Sequence, residues 1–284
     1  MKRFIIYIVL CQLLAVFTSC EKEIMPYKGK EGVYFAVRHG NEFMGENSWP
    51  YQPYTNVDFV RIGKDEVEFS LKVSITGPLK DYDRTFQVEI NPDSTTAVLG
   101  QHYEAIKTKW TIPAGKVSAD IKVLLKRTPD LEVTPRTLGL RLVPTEDFVL
   151  SFPEWDAIPS LTGGNVVPEF DASQHTLRIN DIMTQPAVWS GSIQPGNRES
   201  GLFGVFTRRK MEFLTEYLGL KYEDFASTGT MPLARQFLVA TDATAILIKR
   251  FNEKNPVLEA DGRLMWMGTV PWTSIIGVPW VPGP

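Results

Sequence analysis

The sequence runs Val67-Glu68-Phe69-Ser70-Leu71-Lys72-Val73-Ser74-Ile75 within its first third and alternates apolar with polar side chains throughout. The five apolar residues fall on one face of an extended chain, and the polar residues fall on the other. This alternation predicts a β-strand with one face packed against a core and the other in contact with solvent. Gly77-Pro78 marks the turn that ends the strand.

Similar segments recur on both sides of this strand and are separated by turns rich in proline, glycine, asparagine and aspartate. They predict strands at Val33–Arg38, Thr85–Ile90, Trp110–Ile112, Val117–Leu125, Leu138–Leu142 and His175–Met183. Short strands with turn signals every ten residues or so are typical of an antiparallel β-sandwich. We therefore predict a β-sandwich domain over residues 32–185, with Val117 facing inward and residues 151–172 forming a long loop.

The pattern changes after Trp189 and predicts a smaller region that mixes helices and strands. Thr207 is a plausible N-cap for a helix through Leu218, and Gly219 follows its end. A second helix is predicted from about Thr241 to Lys254, followed by a tight turn at Asp261-Gly262 and a strand from Leu264 to Met267. The predicted fold is thus mainly β, with an α+β C-terminal region over residues 186–284 that contains two or so helices.

Four motifs within residues 58–145 resemble those of Calx-β or related Ig-like domains. They are Phe86–Ile90, Gly100–Tyr103, Ile112–Gly115 and Leu138–Leu142. The resemblance implies an Ig-like or Calx-β-like sandwich, a fold that often binds calcium through acidic residues placed after the strand that follows Pro-Ala-Gly. Here that position holds the stretch from Lys126 to Glu132, with two cations where carboxylates are expected, so we expect no calcium site.

The N-terminus has the layout of a bacterial lipoprotein signal peptide. Lys2 and Arg3 precede an apolar stretch, and Phe17-Thr18-Ser19-Cys20 resembles a lipobox. We predict a signal peptide over residues 1–19, lipidation of Cys20 and a lipidated tether over residues 20–31. Glu21 and Glu23 resemble the signal that sends Bacteroidota lipoproteins to the cell surface, which implies an outer-membrane protein facing the exterior. Ordinary cleavage, giving a soluble periplasmic protein, is the alternative.

Composition excludes several classes of protein. The chain of 284 residues has 30 basic and 33 acidic residues and a net charge of −3, so nucleic acid is not expected as a partner. Two cysteines are too few for a disulfide scaffold, and three scattered histidines offer little for a metal site. We expect no cofactor and no metal.

The chain as a whole resembles an uncharacterised family of Bacteroidota lipoproteins encoded beside SusC/SusD-type importers. The motifs that carry this resemblance are Gly32–Phe35, Asp181–Met183 with Pro186 and Trp189, Leu202–Thr207 with Lys210 and Phe213, Phe251–Leu258, and Asp261-Gly262. These positions look structural, so the family supplies no catalytic residues. The resemblance implies an accessory lipoprotein of a nutrient-uptake system whose substrate is a glycan or a peptide.

No catalytic motif is present in the sequence, which favours a non-enzymatic protein. Acidic pairs such as Glu146-Asp147 or Glu154 with Asp156 keep a surface hydrolase of glycans or peptides as an alternative. Asp65-Glu66 and Asp81 with Asp83 have the residue types of a cation site but are typical of ordinary turns. The three histidines His39, His102 and His175 fall in different predicted elements. A structural or adhesive surface protein is the other alternative.

Aromatic residues suggest where a ligand could bind. Trp49, Tyr51 and Tyr54 lie in a proline-rich segment outside the predicted core strands. Exposed rings of this kind stack on sugars or on proline-rich peptides and contribute much of the energy at binding surfaces. We predict these three residues as ligand-binding, with packing over one end of the sandwich as the alternative.

The C-terminal tail has an unusual composition. No charged residue occurs from Leu264 to the end of the chain, whereas Trp272 and Trp280 recur among prolines. An uncharged terminus exposes an apolar patch unless it packs against something. We predict partner-binding roles for Trp272 and Trp280, with packing on the chain's own domain as the alternative.

Overall fold

The structure, a computed structural model, describes residues 27–41, 43–156 and 166–282. The predicted signal peptide, Cys20 and the first part of the tether lie outside the described residues. The strands in chain order are β1 (Gly32–Phe35), β2 (Tyr54–Asp58), β3 (Glu66–Thr76), β4 (Arg84–Ile90), β5 (Lys109–Ile112), β6 (Ser118–Lys126), β7 (Arg136–Val143), β8 (Val149–Leu150), β9 (Trp155–Asp156), β10 (Glu169–Phe170), β11 (Gln174–Asn180), β12 (Gly191–Gln194) and β13 (Arg198–Gly201). The α-helices are α1 (Phe59–Ile62), α2 (Arg208–Leu218) and α3 (Leu233–Asn252).

Two sheets form the sandwich. One has four strands in the order β6-β3-β1-β8, and the other has five in the order β2-β11-β7-β4-β5. The alternating stretch that begins at Val67 is strand β3, and its inner residues Leu71 and Val73 are fully buried together with Leu138 and Leu140 of the other sheet. Fully burying one such aliphatic side chain contributes about 1.5–3 kcal/mol. The predicted fold, mainly β with a mixed C-terminal region, is confirmed.

The sandwich departs from the prediction in three places. Strand β1 pairs in parallel with β8, and β2 pairs in parallel with β11, so the sheets are not purely antiparallel. Within the predicted loop over residues 151–172, the short strands β9 and β10 pair antiparallel, and residues 157–165 of that prediction lie outside the described residues. Val117 is 53% exposed because it precedes β6 and therefore does not take part in the alternation of that strand.

The C-terminal region confirms the first predicted helix and corrects the second. Helix α2 begins after Thr207, whose side chain accepts a hydrogen bond from the Lys210 N–H, and it ends at Gly219 with φ of 67°. Helix α3 begins eight residues before Thr241. The prediction missed its first turns because Leu233, Phe237 and Leu238 are exposed, so these turns have no amphipathic pattern. No helix in the described part of the chain combines the length and apolar character needed to cross a membrane.

The predicted strand from Leu264 to Met267 is wrong. Of these residues Leu264 alone takes part in β pairing, through a single bridge to Leu258. Met265 and Met267 are apolar because they are buried in the core of the C-terminal region, beside Trp189, Phe203 and Phe225. The apolar run therefore reflects burial in this core and not strand pairing. The predicted turn at Asp261-Gly262 is present, with Gly262 at φ of 81°.

Asp181 joins the sandwich to the C-terminal region. It follows β11 directly, and its side chain is 1% exposed. Its two carboxylate oxygens accept bonds of 2.8 and 3.0 Å from Arg127, and Arg208 of helix α2 lies 3.2 Å from the same carboxylate. Its backbone N–H also donates to Leu131. A buried carboxylate held by two guanidinium groups thus fixes the first residue after the sandwich.

We expect Asp181→Asn to lower the free energy of unfolding by about 3 kcal/mol, because it leaves two arginines facing a neutral amide. Urea denaturation followed by circular dichroism measures this loss. Glu89→Gln is the matched control, since it removes one partner from an exposed pair with Arg141 and is expected to cost at most about 1 kcal/mol. Equal losses in the two variants would contradict the role given to Asp181.

Candidate functional site

Five aromatic rings gather on the outer face of the four-stranded sheet. Val33 and Phe35 of β1 face the core, so strand alternation directs Tyr34 outward. We call the rings around it the aromatic cluster; they are Tyr34, Tyr51, Phe152, Trp155 and Phe170. The rings of Tyr51, Phe152 and Trp155 lie 6.1, 5.0 and 6.1 Å from that of Tyr34, measured between centroids.

Trp155 is the centre of the aromatic cluster. Its ring lies 4.6 Å from Tyr51 and 4.9 Å from Phe152, and it stacks at 6.1 Å on Phe170, its partner in the antiparallel pair of β9 and β10. Phe152, at a left-handed φ of 56°, is 39% exposed. Burial, followed by the proximity of Tyr51, raises the pKa of Tyr34 to about 12, so the phenol stays neutral. The cluster is therefore a packed, uncharged surface that solvent still reaches.

A groove of about 450 Å³ lies beside the cluster, and we call it the aromatic groove. Tyr51, Trp49 and Arg38 line it together with the outward polar residues of β3, which are Ser70, Lys72 and Ser74. The Trp49 indole N–H donates to the carbonyls of Asn41 and Met44, and the Arg38 guanidinium lies 4.2 Å above the Tyr51 ring. The groove combines held aromatic rings with hydrogen-bond donors, which suits a sugar or a peptide.

A second cavity, of about 500 Å³, lies along the edge strand β2, and we call it the polar pocket. It is lined by His39, Gly40, Asn41, Gln52, Tyr54, Thr55 and Asn56. The guanidinium of Arg178, on the neighbouring strand β11, lies 3.6 Å from the centroid of the Tyr54 ring and fixes that ring by a cation–π contact. His39 lines both the polar pocket and the aromatic groove.

Two histidines meet beneath the polar pocket. The Nε2 atom of His39 lies 2.8 Å from the Thr55 hydroxyl, and that hydroxyl lies 3.0 Å from Nε2 of His175. Thr55 has one hydrogen, so it donates to one imidazole and accepts from the other. Burial lowers the pKa of His39, and the deeper burial of His175 lowers its pKa to about 3. Both imidazoles are therefore neutral at physiological pH.

The three predicted ligand-binding residues fall in two neighbouring cavities. Trp49 and Tyr51 line the aromatic groove, whereas Tyr54 lies in the polar pocket on strand β2. The sequence did not identify Tyr34, Phe152, Trp155 or Phe170, although the position of Tyr34 between two core residues is a usable signal. It also did not predict that His39 and His175, which are 136 positions apart in the chain, would converge on Thr55.

The tryptophans of the tail pack on their own chain. The Trp272 ring stacks 5.0 Å from Phe251 of helix α3, and its indole N–H donates to the Met265 carbonyl. The Trp280 ring lies 6.0 Å from the same phenylalanine. This arrangement matches the alternative stated above, and the partner-binding role stays a prediction.

The acidic residues at the position of a Calx-β calcium site bind cations of this chain instead. Asp130 accepts hydrogen bonds from Thr128, His102 and Arg136. These bonds, of which that from Thr128 has the largest effect, hold the pKa of Asp130 well below its usual range. Glu132 lies 3.3 Å from Arg208. Across the described ranges, no three residues among histidine, cysteine, aspartate and glutamate are grouped so as to hold a metal ion.

We expect stability to fall at mildly acidic pH because His175 is held neutral. Unfolded chains bind a proton on this imidazole below about pH 6.5, whereas the folded chain does so only near pH 3. The contribution of neutral His175 to the free energy of unfolding is therefore fully present above pH 6.5. Below that pH the free energy of unfolding declines by up to about 1.4 kcal/mol per pH unit.

Urea titrations at several pH values between 7 and 4, on the wild type and on His175→Gln, measure this effect. The variant is expected to show the shallower decline, because it lacks the titrating imidazole. The same slope in both proteins would rule out His175 as its source.

The comparisons with solved structures are loose. The crystal structure of CBD12 from CALX1.2 matches at 14% identity and a TM-score of 0.34, covering 53% of this chain and 44% of that one. Two proteins of unknown function from Bacteroides ovatus match at 14% and 11% identity and TM-scores of 0.32 and 0.33. The matches cover 57% and 62% of this chain, and 48% and 55% of theirs. The chain thus spans about half of each of these proteins, and such TM-scores carry no argument about function.

The sequence family gives a firmer result. No curated protein matches the chain. The family described as "Domain of unknown function (DUF4843)" matches residues 27–220, a range that contains the whole sandwich, the β12–β13 hairpin and helix α2. That range is well over half of the chain. The chain therefore belongs to the DUF4843 family.

Proposed function

We propose that this protein is a non-catalytic lipoprotein of the outer-membrane surface that binds a nutrient oligomer, a glycan or a peptide, for a SusC/SusD-type importer. The observation that carries the binding role is the aromatic groove. Two rings on the 49–51 segment, the cation of Arg38 above one of them and the polar face of β3 form one open surface. Sugars and peptides both present apolar faces beside hydrogen-bonding groups, and this surface matches that combination.

The contacts of the groove support binding more than simple packing. A ring that only covered the sheet would be buried, yet Trp49 and Tyr51 are half-buried and border an open cavity. Their orientation is fixed before any ligand arrives, by the two carbonyls that accept from Trp49 and by Arg38 above Tyr51. Fixing side chains in advance reduces the entropy lost on binding, which favours affinity.

The surface location is supported by the sequence alone. A lipid on Cys20 would leave residues 21–31 as a short connection between the membrane and strand β1, which begins at Gly32. Two or more acyl chains anchor a protein stably, since each buried methylene contributes about 0.8 kcal/mol. The family resemblance adds the expectation of a neighbouring importer, and copurification with that importer would be its direct test.

We expect Tyr51→Ala and Trp49→Ala each to weaken ligand binding by about tenfold or more, because each removes a stacking ring. The measurement uses full-length protein in detergent, applied to arrays of oligosaccharides and peptides and then to calorimetry with the best ligand. Tyr82→Ala is the control, since Tyr82 is an exposed tyrosine outside both cavities. Turnover of the array compounds by the wild type, or unchanged binding in both groove variants, would overturn the proposal.

We expect Cys20→Ala to abolish incorporation of radiolabelled palmitate and to release the protein from the outer-membrane fraction, because the thiol is the proposed acylation site. Labelling of growing cells followed by membrane fractionation measures both effects. Cys11→Ala is the matched control, since Cys11 lies inside the predicted signal peptide and its loss should leave labelling unchanged. Palmitate labelling that persists without Cys20 would contradict the anchor.

A further inference from the structure

We propose that the polar pocket binds a neutral saccharide unit, so that the ligand class of this protein is an uncharged oligosaccharide rather than a peptide. This inference rests on the proposed binding function and makes it more specific. The pocket is a site distinct from the aromatic groove, and among the residues predicted to bind ligand only Tyr54 belongs to it. His39 lines both cavities, so the two are neighbours.

The lining of the pocket has the chemistry that sugar hydroxyl groups require. The described side chains that line it are uncharged, and together they provide amides, hydroxyls and an imidazole. Each of these groups has both donor and acceptor capacity, as each sugar hydroxyl does. Among the described residues that line the cavity there is no carboxylate or ammonium group, so this lining has no group that would select a charged ligand. Its volume of about 500 Å³ lies within the usual range for small-ligand sites.

The chain of hydrogen bonds beneath the pocket gives it a fixed polar floor. Thr55 is 3% exposed and His175 is 1% exposed, and they hold the ring of His39, which reaches the surface. The floor is thus anchored in the sandwich core, while its outer end faces the cavity. Because Nε2 of His39 is bonded to Thr55, its Nδ1 is the ring nitrogen left for a ligand, as donor or acceptor according to the tautomer.

The local backbone argues against a peptide added as an extra strand. Strand β2 is an edge strand, and peptides commonly bind such edges through main-chain hydrogen bonds. Here the chain from Val37 to His39 already pairs with the residues just before β2, through Gln52 N–H to the Val37 carbonyl and His39 N–H to the Pro50 carbonyl. That pairing occupies main-chain groups of residues 50 and 52, so a peptide strand added at β2 could not continue along the segment that precedes it.

Two mild substitutions test the pocket without disturbing the groove. Asn56→Ala removes an exposed amide and Tyr54→Phe removes one hydroxyl, so folding should be preserved and can be checked by thermal unfolding. Full-length protein in detergent is titrated calorimetrically with maltohexaose, cellohexaose, xylohexaose and mannohexaose, and with a library of unmodified decapeptides. We expect at least one hexasaccharide to bind, and each substitution to weaken it about five- to tenfold, the value of one lost hydrogen bond.

Asn252→Ala is the matched control, since it removes an exposed asparagine at the far end of helix α3 and should leave affinity unchanged. Saccharide binding that is weakened by Tyr51→Ala but unaffected by Asn56→Ala and Tyr54→Phe would overturn the proposal that the polar pocket binds the saccharide. It would leave the proposed function intact. Binding of peptides alone would overturn the saccharide class and still leave a binding protein. Binding of neither class would overturn both proposals.

Nuclear magnetic resonance provides a readout that needs no substitution. The chain has three histidines, so each imidazole can be assigned. Addition of the bound hexasaccharide is expected to shift the ring signals of His39, while those of His102, fully buried beside Asp130, stay in place. Shifts confined to residues of the aromatic groove, with His39 unmoved, would place the saccharide outside the polar pocket and overturn the inference.

Discussion

Strand alternation within the four-stranded sheet is the constraint from which the candidate site follows. Burying Val33, Phe35, Leu71 and Val73 on one face compels their neighbours along the chain onto the other. Tyr34 is thereby directed out of the sheet, where it meets Trp155 and Tyr51, and the polar residues of β3 become one wall of the aromatic groove. The apolar face stabilises the sandwich, and the same geometry presents the surface opposite to it.

The sequence was informative wherever structure depends on near neighbours. The period of two predicted β3 and the other main strands, and the Thr207 cap with Gly219 predicted helix α2. It failed where a residue's environment comes from distant segments. Helix α3 begins with exposed apolar residues, so its first turns carry no periodic signal. The apolar run at 264–267 is buried by packing and not by strand pairing.

The candidate site shows the same division. Tryptophan and tyrosines in a proline-rich segment were enough to indicate a binding surface, because those residue types in such a segment are seldom all buried. They could not indicate that the surface has two cavities, since the aromatic groove depends on the outward polar face of β3 and the polar pocket depends on the edge strand β2 beside β11. The contact of Thr55 with His175 spans 120 residues, and no local pattern records it.

The motif from Leu202 to Thr207, which carried part of the family resemblance, has a structural explanation. Gly204 has a φ of 66°, and a Cβ at this position would collide with Glu199 and Lys210. Those two residues form a fully buried ion pair, and the Glu199 carboxylate also lies 2.8 Å from Arg263. Burial raises the pKa of the nearby Glu259, whose carboxylate accepts a hydrogen bond from Thr207 at 2.8 Å. Glycine, lysine and threonine at these positions are explained by the close approach of the buried charges, without a role in binding a ligand.

The electrostatic state of the two histidines favours a binding role over a hydrolytic one. A general base works best when its pKa lies near the pH at which it operates, yet burial lowers the pKa of both imidazoles and brings that of His175 to about 3. The hydroxyl between them, on Thr55, is almost fully buried and already bonded to both rings, so it lacks the access that a nucleophile requires. A neutral chain of this kind, fixed by the two hydrogen bonds of the Thr55 hydroxyl, is suited to hold His39 in one orientation. The arrangement is therefore better matched to recognising hydroxyl groups than to moving protons between them.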